Sequence, residues 1–354
     1  MNIISTLSRF FFLVIIASTS ILLSMDKTAA TYNGRAINQE TIEDLMPALP
    51  AQDLDAVYSW LSTNRKLVNA ITVNDFTDFA RIIATAPQPG AAIQDWWKNR
   101  QKSLEEQGLH NLSCWNYIFK IPNTDYYVKA AGPLNRLNSA VRTTGTTVTQ
   151  WLAQEDKTLF NPTFQTVSRA AIALRIQDGI KRRGLADTIA AVPTYMVRLE
   201  TSEPVHDDNV VIIERAVPYK TKESGAPVTL EDIAHEATQV QVRSIAELIK
   251  HAKLWDISKN IVVLQDGRLC PIDQEQPNIS RPTEFFHTHP QTWGNSVVCG
   301  YKGLYEIMKK HGRGQLVQEI VRNDRELHAL KKIMIQPRNT VNRYQHLLEE
   351  LEIA

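Results

Sequence analysis

Apolar residues along the first third of the chain recur at helical spacing, with no alternation of the strand kind between 38 and 107. Segments 41–46, 52–61 and 74–84 are the predicted helices there, set apart by Pro47 and Pro50 and followed by Pro87 and Pro89. Asp53 stands where an N-cap is expected, and Leu54, Val57, Tyr58 and Leu61 form one apolar stripe. The pattern then shortens. A hairpin is expected from Cys114–Ile121 and Tyr126-Tyr-Val-Lys129-Ala-Ala around an Asn123-Thr-Asp turn, followed by a helix over 164–183 that Gly184 ends. Strands are expected near 194–199 and 210–214, then helices at 229–234 and 236–253. Three more helices are expected at 303–310, 316–324 and 341–351.

Between these helical blocks lies the most informative stretch, Leu254-Trp-Asp-Ile-Ser-Lys-Asn260-Ile-Val-Val-Leu-Gln-Asp-Gly267-Arg-Leu-Cys-Pro-Ile-Asp273. Ile261–Leu264 and Arg268–Ile272 are strand-like, and Asp266-Gly267 between them favours a two-residue type I′ turn. A hairpin of that length sets Asn260 and Asp273 near its open end. An amide oxygen and a carboxylate placed together suit magnesium bound to nucleotide phosphates.

This segment resembles the catalytic loop and metal-binding strand pair of the protein-kinase-like superfamily, in which Asn and Asp stand at the same offset and hold the magnesium ions. The strand ending in Lys129 resembles that family's phosphate-contacting lysine strand, and Asn209-Val-Val-Ile-Ile-Glu214-Arg-Ala-Val resembles the strand and hinge that receive adenine. The resemblance implies an α+β, two-lobed fold: a small antiparallel-sheet lobe over 111–218 and a large helical lobe over 219–354, preceded by a helical extension over 31–110. It implies ATP and Mg as cofactors, with Lys129 and Glu214 binding nucleotide, Asn260 and Asp273 holding metal, and Asp256 serving as catalytic base toward a protein or small-molecule hydroxyl.

The chain also departs from the family pattern. Asp256 precedes Asn260 by four positions where kinase loops have five. The glycines upstream, Gly34, Gly90 and Gly108, form no phosphate-covering loop, and the helix over 164–183 contains no Glu to orient Lys129. After Asp273 the sequence reads Gln-Glu-Gln-Pro rather than Phe-Gly. These departures keep open a second reading, a catalytically inactive pseudokinase acting as an exported binding or scaffolding module.

Composition narrows the classes. The chain has 354 residues, 43% of them hydrophobic, enough for a sizeable core, and a formal net charge of +1, which gives no global field for nucleic acid or an anionic membrane. Cys114, Cys270 and Cys299 lack metal-ligand spacing and read as buried thiols. Near the amino terminus, Arg9 precedes a 14-residue apolar run from Phe10 to Leu23, and Thr28-Ala29-Ala30 follows. Residues 1–30 are therefore expected to be a signal peptide, or an uncleaved anchor, that exports the domain to the periplasm or beyond. Membrane contact is expected only through that segment.

Other features favour plain structural roles. His287-Thr-His289, between Pro282 and Pro290, reads as a surface loop rather than a metal site. Trp96 and Trp97 with Lys98, Arg100 and Lys102 read as a half-buried helix with a solvated face. No Gly-x-Ser-x-Gly elbow supports serine hydrolase chemistry.

Overall fold

The computed structural model describes residues 31–32, 35–36, 41–106, 116–131, 163–198, 210–254, 256–257, 259–272 and 290–324. The fold is mixed α/β. Two short strands, β1 (Thr31–Tyr32) and β2 (Arg35–Ala36), pair antiparallel and precede helix α1 (Ile42–Leu45). Helix α2 (Ala51–Thr85) then runs unbroken for 35 residues, merging the expected segments at 52–61 and 74–84. Pro50 stands at its N-cap and no proline lies within it, so nothing stops the helix before Ala86-Pro87. Helix α3 (Pro89–Glu106) turns back against α2.

Strands β3 (Asn116–Lys120), β4 (Tyr126–Ala131), β5 (Thr194–Arg198) and β6 (Val210–Arg215) form one antiparallel sheet in the order β3-β4-β6-β5. Helix α4 (Thr163–Arg183) lies between β4 and β5 in sequence and ends at Gly184, whose φ of 63° suits a glycine stop.

Strand alternation gives the sheet two different faces. Phe119, Tyr126, Val128, Tyr195, Val197 and Ile213 bury against Leu49, Val57, Leu61 and Leu104 of the preceding helical segment. The helical extension thus packs on the sheet, as a stripe at 54, 57 and 61 requires; each fully buried aliphatic side chain there contributes about 1.5–3 kcal/mol. Tyr126 strengthens the join, its hydroxyl donating to Asp53 Oδ2 at 2.7 Å. Burial, then this bond, hold the phenol well above its usual pKa. Trp97 packs against the same core and Trp96 meets Phe79 edge-on at 5.9 Å, so the tryptophan pair is half-buried helix surface.

The opposite face carries Ile212, which joins Ala170, Ala171 and Leu174 of α4 and Ile42, Leu45 and Met46. Another face of α4 presents Ile172 and Ile176 to the largest core. That core gathers α5 (Leu230–Ile233), α6 (Gln239–Ala252), α7 (Pro290–Lys310) and α8 (Gly314–Arg322) around strands β7 (Ile261–Val263) and β8 (Leu269–Pro271). Helix α6 starts at Gln239 rather than 236, because Thr238 and Gln241 form a reciprocal capping box. Helix α7 starts much earlier than the expected 303, at Pro290, a residue the first helical position tolerates.

The expected hairpin is present, but its turn differs. Leu264 N–H donates to Arg268 C=O at 2.8 Å and Gly267 N–H to Leu264 C=O at 2.9 Å, leaving Gln265, Asp266 and Gly267 as a three-residue loop. Only Gly267 has positive φ, at 88°, where a type I′ turn would need two such residues. This is a type I turn closed by a glycine bulge. Asp266 instead accepts from Arg268 N–H at 3.0 Å and from its Nε at 2.8 Å.

Among the described residues no helix is long and apolar enough to cross a membrane. Residues 1–30, 287–289 and 341–351, with Cys114, lie outside the described residues. Cys270 is a buried free thiol, and Cys299, in α7, is a free thiol only partly covered.

Candidate functional site

Lys129 sits on β4 opposite Ile212 of β6, and Glu214 lies one pleat farther along β6, opposite Tyr127. The two side chains therefore share the face turned toward α4 and meet diagonally, Nζ to Oε2, at 2.9 Å. Lys129 keeps 7% of its side-chain exposure and Glu214 20%, so the pair is shielded on the lysine side. The helix over 164–183 indeed supplies no glutamate; the carboxylate that orients Lys129 comes from the sheet. Glu214 was expected as part of a nucleotide-receiving hinge, and its bond to Lys129 gives it a different immediate task. The signal for this was present in the alternation of β6, but it becomes readable only once β4 and β6 are known to be neighbours.

The second half of the site lies at the open end of the hairpin. Asn260 Nδ2 donates to Asp256 Oδ2 at 3.0 Å, joining the expected base and one expected metal ligand into one polar unit. That bond engages the donor end of the amide, so its oxygen is the end a cation would take. Across the hairpin, Ile272 N–H donates to Asn260 C=O at 2.8 Å. Asp273, the next residue, lies outside the described residues.

The hairpin is held from both sides. Ala190 N–H donates to Leu269 C=O and Leu269 N–H to Thr188 C=O, each at 2.9 Å, setting residues 188–190 along β8. On the other side Lys220 N–H donates to Val263 C=O at 2.8 Å and Val263 N–H to Val228 C=O at 2.9 Å. A small apolar cluster of Val262, Leu264 and Cys270, with Val192, Val217 and Ile272 packed on it, fills the space toward the sheet. Burial, then the nearby Glu214 carboxylate, push the Cys270 thiol up to about 12, which keeps it neutral and unreactive.

The sheet and the hairpin share a cavity. A space of about 30 Å³ is lined by Arg169, Ile172, Ala173 and Ile176 of α4, Ala191, Val192 and Thr194, Glu214 of β6 and Pro271 of β8. Glu214 thus faces both Lys129 and the end of the hairpin strand that leads to Asp273. Among the described residues no group of three or more His, Cys, Asp or Glu side chains is placed to hold a metal ion. Magnesium on nucleotide phosphates needs only one or two side-chain oxygens besides phosphate and water, and the amide oxygen of Asn260 is of the kind that could supply one of them.

Arg169 did not stand out in the sequence as a candidate, because one arginine in a helix carries no pattern of its own. No family model, curated protein or solved structure matches the chain.

Proposed function

We propose that the chain is a divergent kinase-like protein, two-lobed, that binds ATP and magnesium between its small antiparallel sheet and its helical part, and transfers phosphate to a hydroxyl of a protein or small molecule. One observation carries the reading: Glu214, ion-paired with Lys129, lines the same cavity as Pro271, at the end of the hairpin whose mouth holds Asn260 and Asp256. Glu214 alone of the expected residues lines that cavity, and the ion pair to Lys129 and the hairpin strand below Asn260 connect the others to it.

In this reading the Lys129 ammonium binds the nucleotide phosphates, and Glu214 fixes its direction. Asn260 and Asp273 would hold magnesium, which when bound neutralises charge on the phosphates. Asp256 takes the proton of the acceptor hydroxyl, its carboxylate kept in place by the Asn260 amide. The hairpin, hydrogen-bonded on both sides, supplies the rigidity that catalysis by positioning needs. Export of the domain remains part of the proposal, on the strength of residues 1–30 alone.

The experiment is nucleotide binding by the purified protein with and without magnesium. Saturable ATP binding that strengthens with magnesium and is lost in Asp273→Ala is expected; no saturable binding ends the reading.

A second reading is a catalytically inactive pseudokinase that serves as an exported binding or scaffolding module. It is favoured by the Asp256 carboxylate being engaged by Asn260 at 3.0 Å, from a loop position one residue away from the kinase spacing. ATP hydrolysis in wild type against Asp256→Asn separates the two. Turnover that depends on Asp256 supports the enzyme, and ATP binding without turnover supports the module.

A further inference from the structure

We propose that the cleft between the start of α6 and the start of α8 binds a short zwitterionic peptide, its carboxylate on Arg313 and its ammonium on Glu319. This site is separate from the cavity beside Glu214, and it stands or falls independently of the nucleotide reading.

The cleft has a volume of about 350 Å³ and is lined by Gln239 of α6, Gly312 and Arg313 of the turn after α7, and Gln315, Leu316 and Glu319 of α8. That is at the lower end of small-molecule pockets, which span roughly 300–1,000 Å³. Gln315 and Leu316 stand four and three positions before Glu319, so one face of α8 forms a wall. Arg313 is fixed at its near end. Its Nη1 donates to the carbonyls of Ala234 and Ala237 at 2.7 Å each and lies 3.5 Å from that of His235. Those are all of its side-chain hydrogen bonds, and the edge formed by Nε and Nη2 is left over. Glu319 bonds through its backbone, where its carbonyl accepts from Asn323 Nδ2 at 2.8 Å and from Asn323 N–H at 3.2 Å. Among the described residues no ion pair joins Arg313 to Glu319, although the two border one cleft with opposite charges. The nearby Lys310 is already engaged by Glu231 at 2.6 Å.

Chemistry and length select the ligand. The Nε–Nη2 edge of a guanidinium grips a carboxylate in a two-pronged fashion, and the bonds on Nη1 hold that edge in advance of binding. The Glu319 carboxylate takes an ammonium. Arg313 and Glu319 are six positions apart, which is roughly 9 Å along a helix rising about 1.5 Å per residue. An extended chain covers at most about 3.3–3.6 Å per residue, so a single amino acid is too short and a tripeptide spans about 10 Å. The amides of Gln239 and Gln315 each donate and accept, as the peptide groups between the two ends require. Leu316, half-buried against the helical core, offers the aliphatic surface for a side chain. A protein tail carries only one of the two charged ends and does not meet both residues.

The test uses the purified full chain and ligand-observed NMR titrations of trialanine, N-acetyl-trialanine, trialanine amide and free alanine against wild type, Glu319→Gln and Arg313→Lys. Saturable binding of trialanine by wild type is expected, weakened about three- to fivefold when either end is blocked, as loss of a solvent-exposed ion pair weakens it. In Glu319→Gln, trialanine is expected to fall to the affinity of its acetylated form while that form itself is unchanged. Arg313→Lys, which keeps the charge without the fork, is expected to narrow the gap between trialanine and its amide. Should the lysine variant fail to fold, Glu319→Gln, an exposed substitution, decides alone. No saturable binding of trialanine, equal affinity for the free and blocked peptides, free alanine binding as tightly as trialanine, or an equal loss for all three peptides in Glu319→Gln would each overturn the inference.

Discussion

The Asp178 carboxylate on α4 lies 2.9 Å from His251 Nε2 on α6, and its other oxygen accepts from Arg182 Nε at 2.8 Å, so a buried acid joins two helices. Burial outweighs the Asp178 bond, and Arg183 and Lys253 add to it, so the imidazole sits below its ordinary pKa of 6.5. A depressed folded-state pKa means that the unfolded chain binds more protons at acidic pH. The contribution of this pair is whole above 6.5 and is lost as pH falls through the lower folded value. Thermal unfolding from pH 8 to pH 5 is expected to show a falling Tm in wild type and a shallower fall in His251→Gln. Parallel curves would contradict it.

The Tyr126 hydroxyl is the polar link between the helical extension and the sheet. Tyr126→Phe keeps the ring and its 5.9 Å contact with Tyr195 while deleting the bond to Asp53. A loss of about 1.5–3 kcal/mol is expected in urea unfolding, the range for a hydrogen bond to a charged acceptor. Asp53→Ala in the Tyr126→Phe background is expected to add little beyond that.

Two glycines of α7 make a paired test of packing. A Cβ at Gly300 would strike the Leu254 carbonyl oxygen and come within 2.7 Å of Ile249 Cγ2, and a backbone carbonyl cannot step aside. Gly300→Ala is expected to cost about 3 kcal/mol or more, as forced overpacking does. At Gly303 the nearest atom is Ile257 Cβ at 3.5 Å, ordinary contact. Gly303→Ala is expected to be neutral or to stabilise by up to about 1 kcal/mol through helix propensity. Denaturant midpoints of the two variants should move in opposite directions or differ widely.

Glu214→Gln tests whether orienting Lys129 matters to ligand binding. On the nucleotide reading, Mg-ATP affinity is expected to fall by about five- to tenfold while circular dichroism is unchanged, since a charge-assisted bond becomes a neutral one. Lys129→Met should cost more, because it removes the phosphate contact itself. Equal affinity in wild type and Glu214→Gln would leave the ion pair a purely structural role.

The hairpin, the strands and the helix over 163–183 were legible because each is short-range: apolar period, glycine stops and turn residues act within a few positions of one another. Misreadings were local too. Gln265 joins the turn because Leu264 closes on Arg268, a choice that Asp266-Gly267 alone does not make. The expected segments at 52–61 and 74–84 belong to one helix because no proline or glycine stands between them to end it. What could not be read was long-range. Strand β4 pairs with β6 rather than with β5, the next strand in sequence, and that crossover alone makes Glu214 the partner of Lys129. Arg169 enters the cavity for a similar reason, through the packing of α4 under the sheet.

Helix α4 belongs to two cores at once, giving Ala170, Ala171 and Leu174 to the sheet and Ile172 and Ile176 to the helices. It cannot follow both if the gap beside Glu214 widens to admit a guest. On its helical side Gly179 allows so close an approach that a methyl group there would meet His251 at 2.9 Å, and Asp178 adds its bonds. Against the sheet the helix offers Ala170, Ala171 and Leu174. A widening beside Glu214 therefore has to be matched by a loosening of one of these two seams.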